Sequence, residues 1–307
     1  MKNKRLSALV VAGLFLVVSG AGYLYFFRAR PIGTGPAGPE LSAEMFSGVW
    51  SDKPVLLVGL GDSVTAGFGA RRGYSYFNLL VTNSATDFQD MRGKCLQAVL
   101  PNLIFTNLSE SGSTSGEHLR RQLPRLPVVG SNTTALVVIT TGGNDLIHNY
   151  GRTPPREEAM YGATWEQAEP WIKNFERRLN EMIGVINDHY SAGCEIFLAN
   201  IFDPTDAVGD IQRAGLPPWK DGIKILTAYN EVIQRCAENH HSVHLVDMHK
   251  AFLGHGIHCT QFWSKHYRSN DPRYWYYVNL EDPNERGYDA IRRLFLIEIS
   301  KVAKQLR

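Results

Sequence analysis

The pattern of apolar and polar positions divides the chain into an N-terminal block and a long alternating region. Residues 6–27 form an uncharged apolar run, preceded by Lys2, Lys4 and Arg5 and followed by Arg28 and Arg30. A run of that length crosses a bilayer core of about 30 Å, and it is apolar on every side. The tyrosines and phenylalanines at its far end, Tyr23 to Phe27, suit a membrane interface. It outlasts the apolar core of a cleaved signal peptide, although Ser19-Gly20-Ala21 supplies small residues. An uncleaved signal anchor over residues 1–30 is the expectation, with the main domain extracytoplasmic, or secreted if the segment is cleaved. Residues 31–39, Pro-Ile-Gly-Thr-Gly-Pro-Ala-Gly-Pro, suit neither a helix nor a packed strand. They read as a tether, with a short lead-in helix over 41–50.

From residue 51 onward, short apolar runs alternate with amphipathic stretches. Strands are expected at 55–60, 102–107, 135–141, 195–201 and 243–246. Helices are expected at 73–81, 117–123, 165–190, 221–238 and 284–305; the clearest carries Trp171, Phe175, Leu179, Ile183 and Ile186 at spacings of three and four. Residues 82–100 show no clear pattern. Residues 149–164 and 202–219 read as loops, and 250–280 as a long irregular segment rich in histidine and aromatics. This alternation predicts one α/β domain over 51–307, with a parallel sheet covered on both faces.

Composition narrows the functional classes. A net charge of +2 with scattered basic residues gives no nucleic-acid stripe. Cys95, Cys194, Cys236 and Cys259 are far apart and form no CxxC, which excludes a zinc ribbon or a dense disulfide framework.

The chemistry concentrates at strand ends. The first strand runs into Gly61-Asp62-Ser63, the second into a small polar loop holding Gly112, and the third into Gly142-Gly143-Asn144-Asp145. Parallel strands deliver their carboxyl ends to one sheet edge, so Ser63, Gly112 and Asn144 are expected to converge. Singly, Ser63 reads as a helix cap, Gly112 as a turn and Asn144 as a loop or cap residue. Together they form a nucleophile with donors for an oxyanion: the N–H groups of Gly112 and Ser63 and the amide of Asn144.

These blocks, with Asn107 before Gly112, resemble those of the SGNH (GDSL-type) hydrolases over about residues 54–300. The resemblance implies a three-layer α/β/α fold of flavodoxin type with a five-stranded parallel sheet. It also implies a serine esterase or lipase, acting on a lipid, carbohydrate or small ester and needing no metal or other cofactor, with a late Asp and His completing a triad. The last block departs from the family: in Asn279-Leu280-Glu281-Asp282-Pro283-Asn284, Asn279 stands where the family has Asp and Asp282 where it has His. A carboxylate of ordinary pKa near about 4 is a poor base for a serine hydroxyl. Three readings stand open. A histidine from 254–259 (His255 or His258), or His266, supplies the base with Asp282 orienting it. Asp282, with a raised pKa, acts directly. Or the site binds an acylated or carbohydrate ligand without turnover. Asp247, His249, His255, His258 and Cys259 are metal-type residues without a metal-site spacing, and no metal is expected. The aromatics Tyr274 to Tyr277 serve either ligand stacking or loop packing.

Overall fold

A computed structural model describes residues 2–83, 86–190 and 192–306. Five parallel strands form one sheet: β1 (Val55–Gly61), β2 (Leu103–Asn107), β3 (Thr134–Thr140), β4 (Cys194–Ala199) and β5 (Val243–Val246). Their order is β2-β1-β3-β4-β5. This is the doubly wound, flavodoxin-type order, in which the crossover direction reverses beside β1.

Side chains alternate across the pleat and build two cores. On one face Leu56, Val58 and Leu60 of β1 join Val137 and Ile139 of β3 under the long helices α7 (Trp165–His189) and α8 (Gly222–Asn239). On the other, Val55 and Leu57 join Val138 and Phe197 under α3 (Tyr76–Val81) and α10 (Glu285–Lys301). β1 and β3 are therefore buried on both faces, which is why their sequences are unbroken apolar runs. Short helices fill the connections: α2 (Ser63–Ala66), α4 (Leu96–Val99), α5 (Ser115–Glu117), α6 (Gly143–Ile147) and α9 (Met248–Phe252). The helix expected over 117–123 is wound wider than an α-helix, with a π-type turn at His118–Gln122. Residues 41–50 contain only a 3-10 turn, Ala43–Phe46.

Helix α1 (Lys2–Phe27) projects from this body. Its segment Leu9–Phe27, of mean hydropathy 2.0, is long and apolar enough to cross a membrane and fits an anchor or a signal sequence. The Pro/Gly segment after it does not hang free as a tether. Arg286 donates to the carbonyls of Thr34 and Gly35 at 2.8 and 2.9 Å, Tyr274 N–H to Pro31 O at 2.9 Å, and Ala37 N–H to Asp289 Oδ2 at 3.0 Å. The segment has few side chains to bury, but its backbone carbonyls are good acceptors, and α10 supplies the donors. The aromatics Tyr274, Trp275 and Tyr276 are buried in the core against Phe202 and Phe252, so packing accounts for them. All four cysteines are free.

Candidate active site

β1 ends where only glycine fits. Gly61 has φ of 131°, and a Cβ there would lie 2.3 Å from Thr140 O. The chain then turns into α2, whose N-cap is Asp62: its carboxylate accepts from Val64 N–H at 3.1 Å and from Thr140 Oγ1 at 2.7 Å. Ser63 is thus the first helical residue, at the positive end of a one-turn helix and at the carboxyl edge of the sheet. Burial pushes the Asp62 pKa up from 3.8 to about 7, and the nearby Asp282 carboxylate adds to the rise.

The second strand-end loop is clamped to the first. Gln122 holds Gly61 through both backbone groups, accepting from its N–H at 2.8 Å and donating to its carbonyl at 2.7 Å. Gly112 lies in this loop with φ of 82°. That left-handed turn is open to glycine without strain, and the residue is exposed at the edge. Asn144, in α6, is buried and donates one amide hydrogen to Ser113 O at 3.0 Å.

Asp145, the last residue of the Gly-Gly-Asn-Asp block, ties the second and third loops together. Its carboxylate accepts from Ser115 N–H at 2.9 Å, Ser115 Oγ at 2.5 Å and Arg178 at 3.3 Å. Burial raises its pKa while these donors counter the rise. His118 is a second strut. Ser113 Oγ spends its hydrogen on a carbonyl, so it accepts from His118 Nε2–H at 3.0 Å, while Nδ1 accepts from Thr141 Oγ1 at 3.0 Å. Burial lowers its pKa to about 3, which keeps the ring neutral. Neither role was read from the sequence. The signal available for Asp145 was Arg178, a charged residue on the apolar stripe of the 165–190 helix that calls for an acidic partner.

Asp282 lies in the loop before α10, and its Oδ2 accepts from Asn279 Nδ2 at 2.6 Å, so these two residues of the last block pair with each other. Oδ1 is buried without a well-formed partner, and the neighbouring Ser63 hydroxyl lowers a pKa that burial raises. Glu281 lies alongside, and burial with the Asp282 charge lifts its pKa from 4.5 to about 7.

The structure does not bring His255 or His258 to Ser63. His255 lies flat on Trp275, ring centroids 3.5 Å apart, with Nδ1 bonded to Arg273 O at 2.9 Å; burial lowers its pKa to about 4. His258 bridges Asp210 at 2.8 Å and Gln261 at 3.0 Å, and it faces a different groove. Both rings are spent holding the irregular 250–280 segment in place. His266 faces that second groove too. Among the described residues no group of three His, Cys, Asp or Glu is placed to hold a metal ion.

Ser63 and Asn144 open into a cleft enclosing about 140 Å³. Its wall is mainly apolar, including Leu146, Ile147, Ile201, Leu226 and Met248, with Trp219 and Tyr161 at one side. Its charged lining residues are all acidic: Asp62, Asp203 and Glu281.

A serine at the head of a short helix, an amide and a glycine turn from the next two strand-end loops, and a parallel sheet of this order define an α/β/α protein with its polar loops at one sheet edge. The model of the GDSL-like Lipase/Acylhydrolase family matches residues 60–290. The chain belongs to that family and is a hydrolase acting on esters. Among solved structures it resembles an extracellular lipase from Streptomyces rimosus, with 20% identity and TM-score 0.52, covering 80% of this chain and 99% of that one. It is also similar to an acetyl xylan esterase variant from Geobacillus stearothermophilus, with 20% identity, TM-score 0.49 and 82% and 97% coverage. A lipolytic G-D-S-L family member from Veillonella parvula matches at 13% identity, TM-score 0.48 and 79% and 97% coverage. No curated protein matches the chain.

Proposed function

We propose that the protein is a membrane-anchored, extracytoplasmic ester hydrolase in which Ser63 is the nucleophile and Asp282 its base. The observation that carries this reading is the place of the Asp282 carboxylate: it neighbours Ser63 with Oδ1 buried and unpartnered, while His255, His258 and His266 lie elsewhere. Ser63 Oγ attacks the ester carbonyl and its proton passes to Asp282. The oxyanion is held by the N–H groups of Ser63 and Gly112 and by the Asn144 amide. Protonated Asp282 then returns its proton to the leaving alkoxide, and water releases the acyl group by the same route in reverse.

Burial serves this chemistry. A carboxylate of raised pKa is a stronger base than an exposed one, and its protonated form persists nearer neutral pH until it donates to the leaving alkoxide. Asn279 fixes the Asp282 carboxylate by donating to Oδ2, which leaves Oδ1 for the serine. The apolar wall suits an aliphatic acyl group, while Glu281 and Asp203 at the cleft repel the carboxylate product once it forms.

Hydrolysis of p-nitrophenyl acyl esters tests the reading. Wild-type protein is expected to turn over an acyl ester of intermediate chain length, and Ser63→Ala to lose that activity. Equal rates in the two proteins would place the chemistry elsewhere. A protein that binds such esters without releasing nitrophenol would mark the cleft as a binding site.

A further inference from the structure

We propose that the domain is seated on the bilayer surface through Phe262 and Trp263, in one orientation fixed by the end of α1. The proposal rests on the reading of α1 as a retained membrane anchor. The last carbonyls of a helix lack partners within it. Here the domain supplies them: Gln261 Nε2 donates to Phe26 O at 3.0 Å, and Thr260 Oγ1 to Tyr25 O at 3.2 Å. Rings lock the same junction. Phe26 meets Trp263 at 5.1 Å and Phe262 at 5.6 Å between centroids, Phe27 meets Trp263 at 5.8 Å, and the Arg213 guanidinium lies 4.8 Å over Phe27. Immediately beyond, the Tyr274 N–H holds Pro31 O, so no slack separates helix from domain.

Phe262 and Trp263 are nonetheless 64% and 51% exposed. Trp263 is the only one of the six tryptophans that is exposed rather than buried or half-buried. Large exposed aromatics are costly in water and favoured at the headgroup level, where an apolar ring and a polar edge both find partners. Their position beside the interfacial end of a spanning segment, continuous with exposed Tyr25 and Phe27, identifies the bilayer interface as the occupant. One consequence concerns the Ser63 cleft. The segment over 202–216 walls that cleft with Phe202, Ile211 and Leu216, and it also lines the groove beside Phe27 and Trp263 with Val208 and Arg213. Seating the aromatics in the interface brings this shared wall to the membrane surface.

The test uses the full chain reconstituted into phosphatidylcholine vesicles, with lipids brominated near the headgroup end or near the methyl end of the acyl chains. Tryptophan emission is compared between wild type and Trp263→Phe, a change at a half-exposed ring that leaves the buried core intact. The Trp263 contribution, taken as the difference, is expected to lose most of its intensity to the headgroup-side bromines and less to the methyl-side ones. Alkaline carbonate extraction is run on the same vesicles. Protein that resists extraction but shows no quenching of Trp263 would overturn the seating while leaving the anchor intact, whether Trp263 then faces water or another protein. Protein released by carbonate would remove the anchor and the seating together.

Discussion

Replacing Asp62 by Asn should flatten part of the pH dependence of stability. Asp62 caps α2 and is wholly buried, and its pKa rises from 3.8 to about 7. An acid whose folded pKa lies above its unfolded value binds more protons when folded. Stability is therefore highest below the unfolded value and falls as pH rises from about 4 to about 7. A rise of this size corresponds to an upper bound of about 4 kcal/mol lost across that window. Two buried histidines act in the opposite sense. His118 and His255 have pKa values lowered to about 3 and about 4, so they cost stability as pH falls below about 6.5. The difference between wild type and Asp62→Asn isolates the carboxylate, because the histidines are common to both. Asn caps a helix about as well as Asp, so the bond from Val64 N–H survives, while its buried amide N–H group costs about 1–3 kcal/mol if unpartnered. Urea unfolding of detergent-solubilised protein at pH 5 and pH 8 is the assay. The variant is expected to be less stable than wild type at pH 5, with that deficit shrinking or reversing at pH 8. An unchanged gap between the two proteins at both pH values would refute a raised Asp62 pKa.

Four further outcomes follow from the same contacts. Asn144→Ala should lower kcat/KM for an aryl ester by about 10²–10³-fold, as loss of one oxyanion donor does, with KM little altered. Gly61→Ala should prevent stable folding, because its Cβ would sit 2.3 Å from the Thr140 carbonyl at a φ of 131°; circular dichroism and yield of folded protein report it. Asp145→Ala should destabilise the fold by about 1–3 kcal/mol in denaturant titration, since it leaves the buried Ser115 N–H and hydroxyl without their acceptor, while Arg178 keeps Glu157. His255→Ala and His258→Ala should keep the pH–rate profile of wild type while lowering the melting temperature; loss of the acid limb in either would return the base to that loop.

The sheet and the strand-end placement of Ser63, Gly112 and Asn144 were legible because they depend on backbone regularities. Runs such as Val55 to Leu60 and Ala135 to Thr141 are buried on both faces, and parallel pairing then sends Ser63, Gly112 and Asn144 to one edge. What the sequence hid depends on which side chain a loop turns inward. His255 and His258 lie in a segment without periodicity, and the Trp275 ring and the Asp210 carboxylate claim them. Asn279 and Asp282 looked like two isolated substitutions, but their hydrogen bond makes them one unit. The 31–39 segment read as free chain because composition reports side chains, whereas its docking is through backbone carbonyls and one N–H. The burial of His118 depends on a wide turn that is visible only in the folded chain.

The central claim is that a buried carboxylate activates Ser63. Labelling of the full chain by a fluorophosphonate, followed from pH 4 to pH 9 with tryptic mapping of the adduct, tests it most directly. An adduct on Ser63 is expected in wild type. The labelling rate should rise with pH through one ionisation above the ordinary carboxylate value of about 4, because the base acts only when ionised and burial lifts its pKa. Asp282→Asn should remove that ionisation and most of the rate. An unlabelled Ser63, or a pH profile identical in wild type and Asp282→Asn, would contradict the claim.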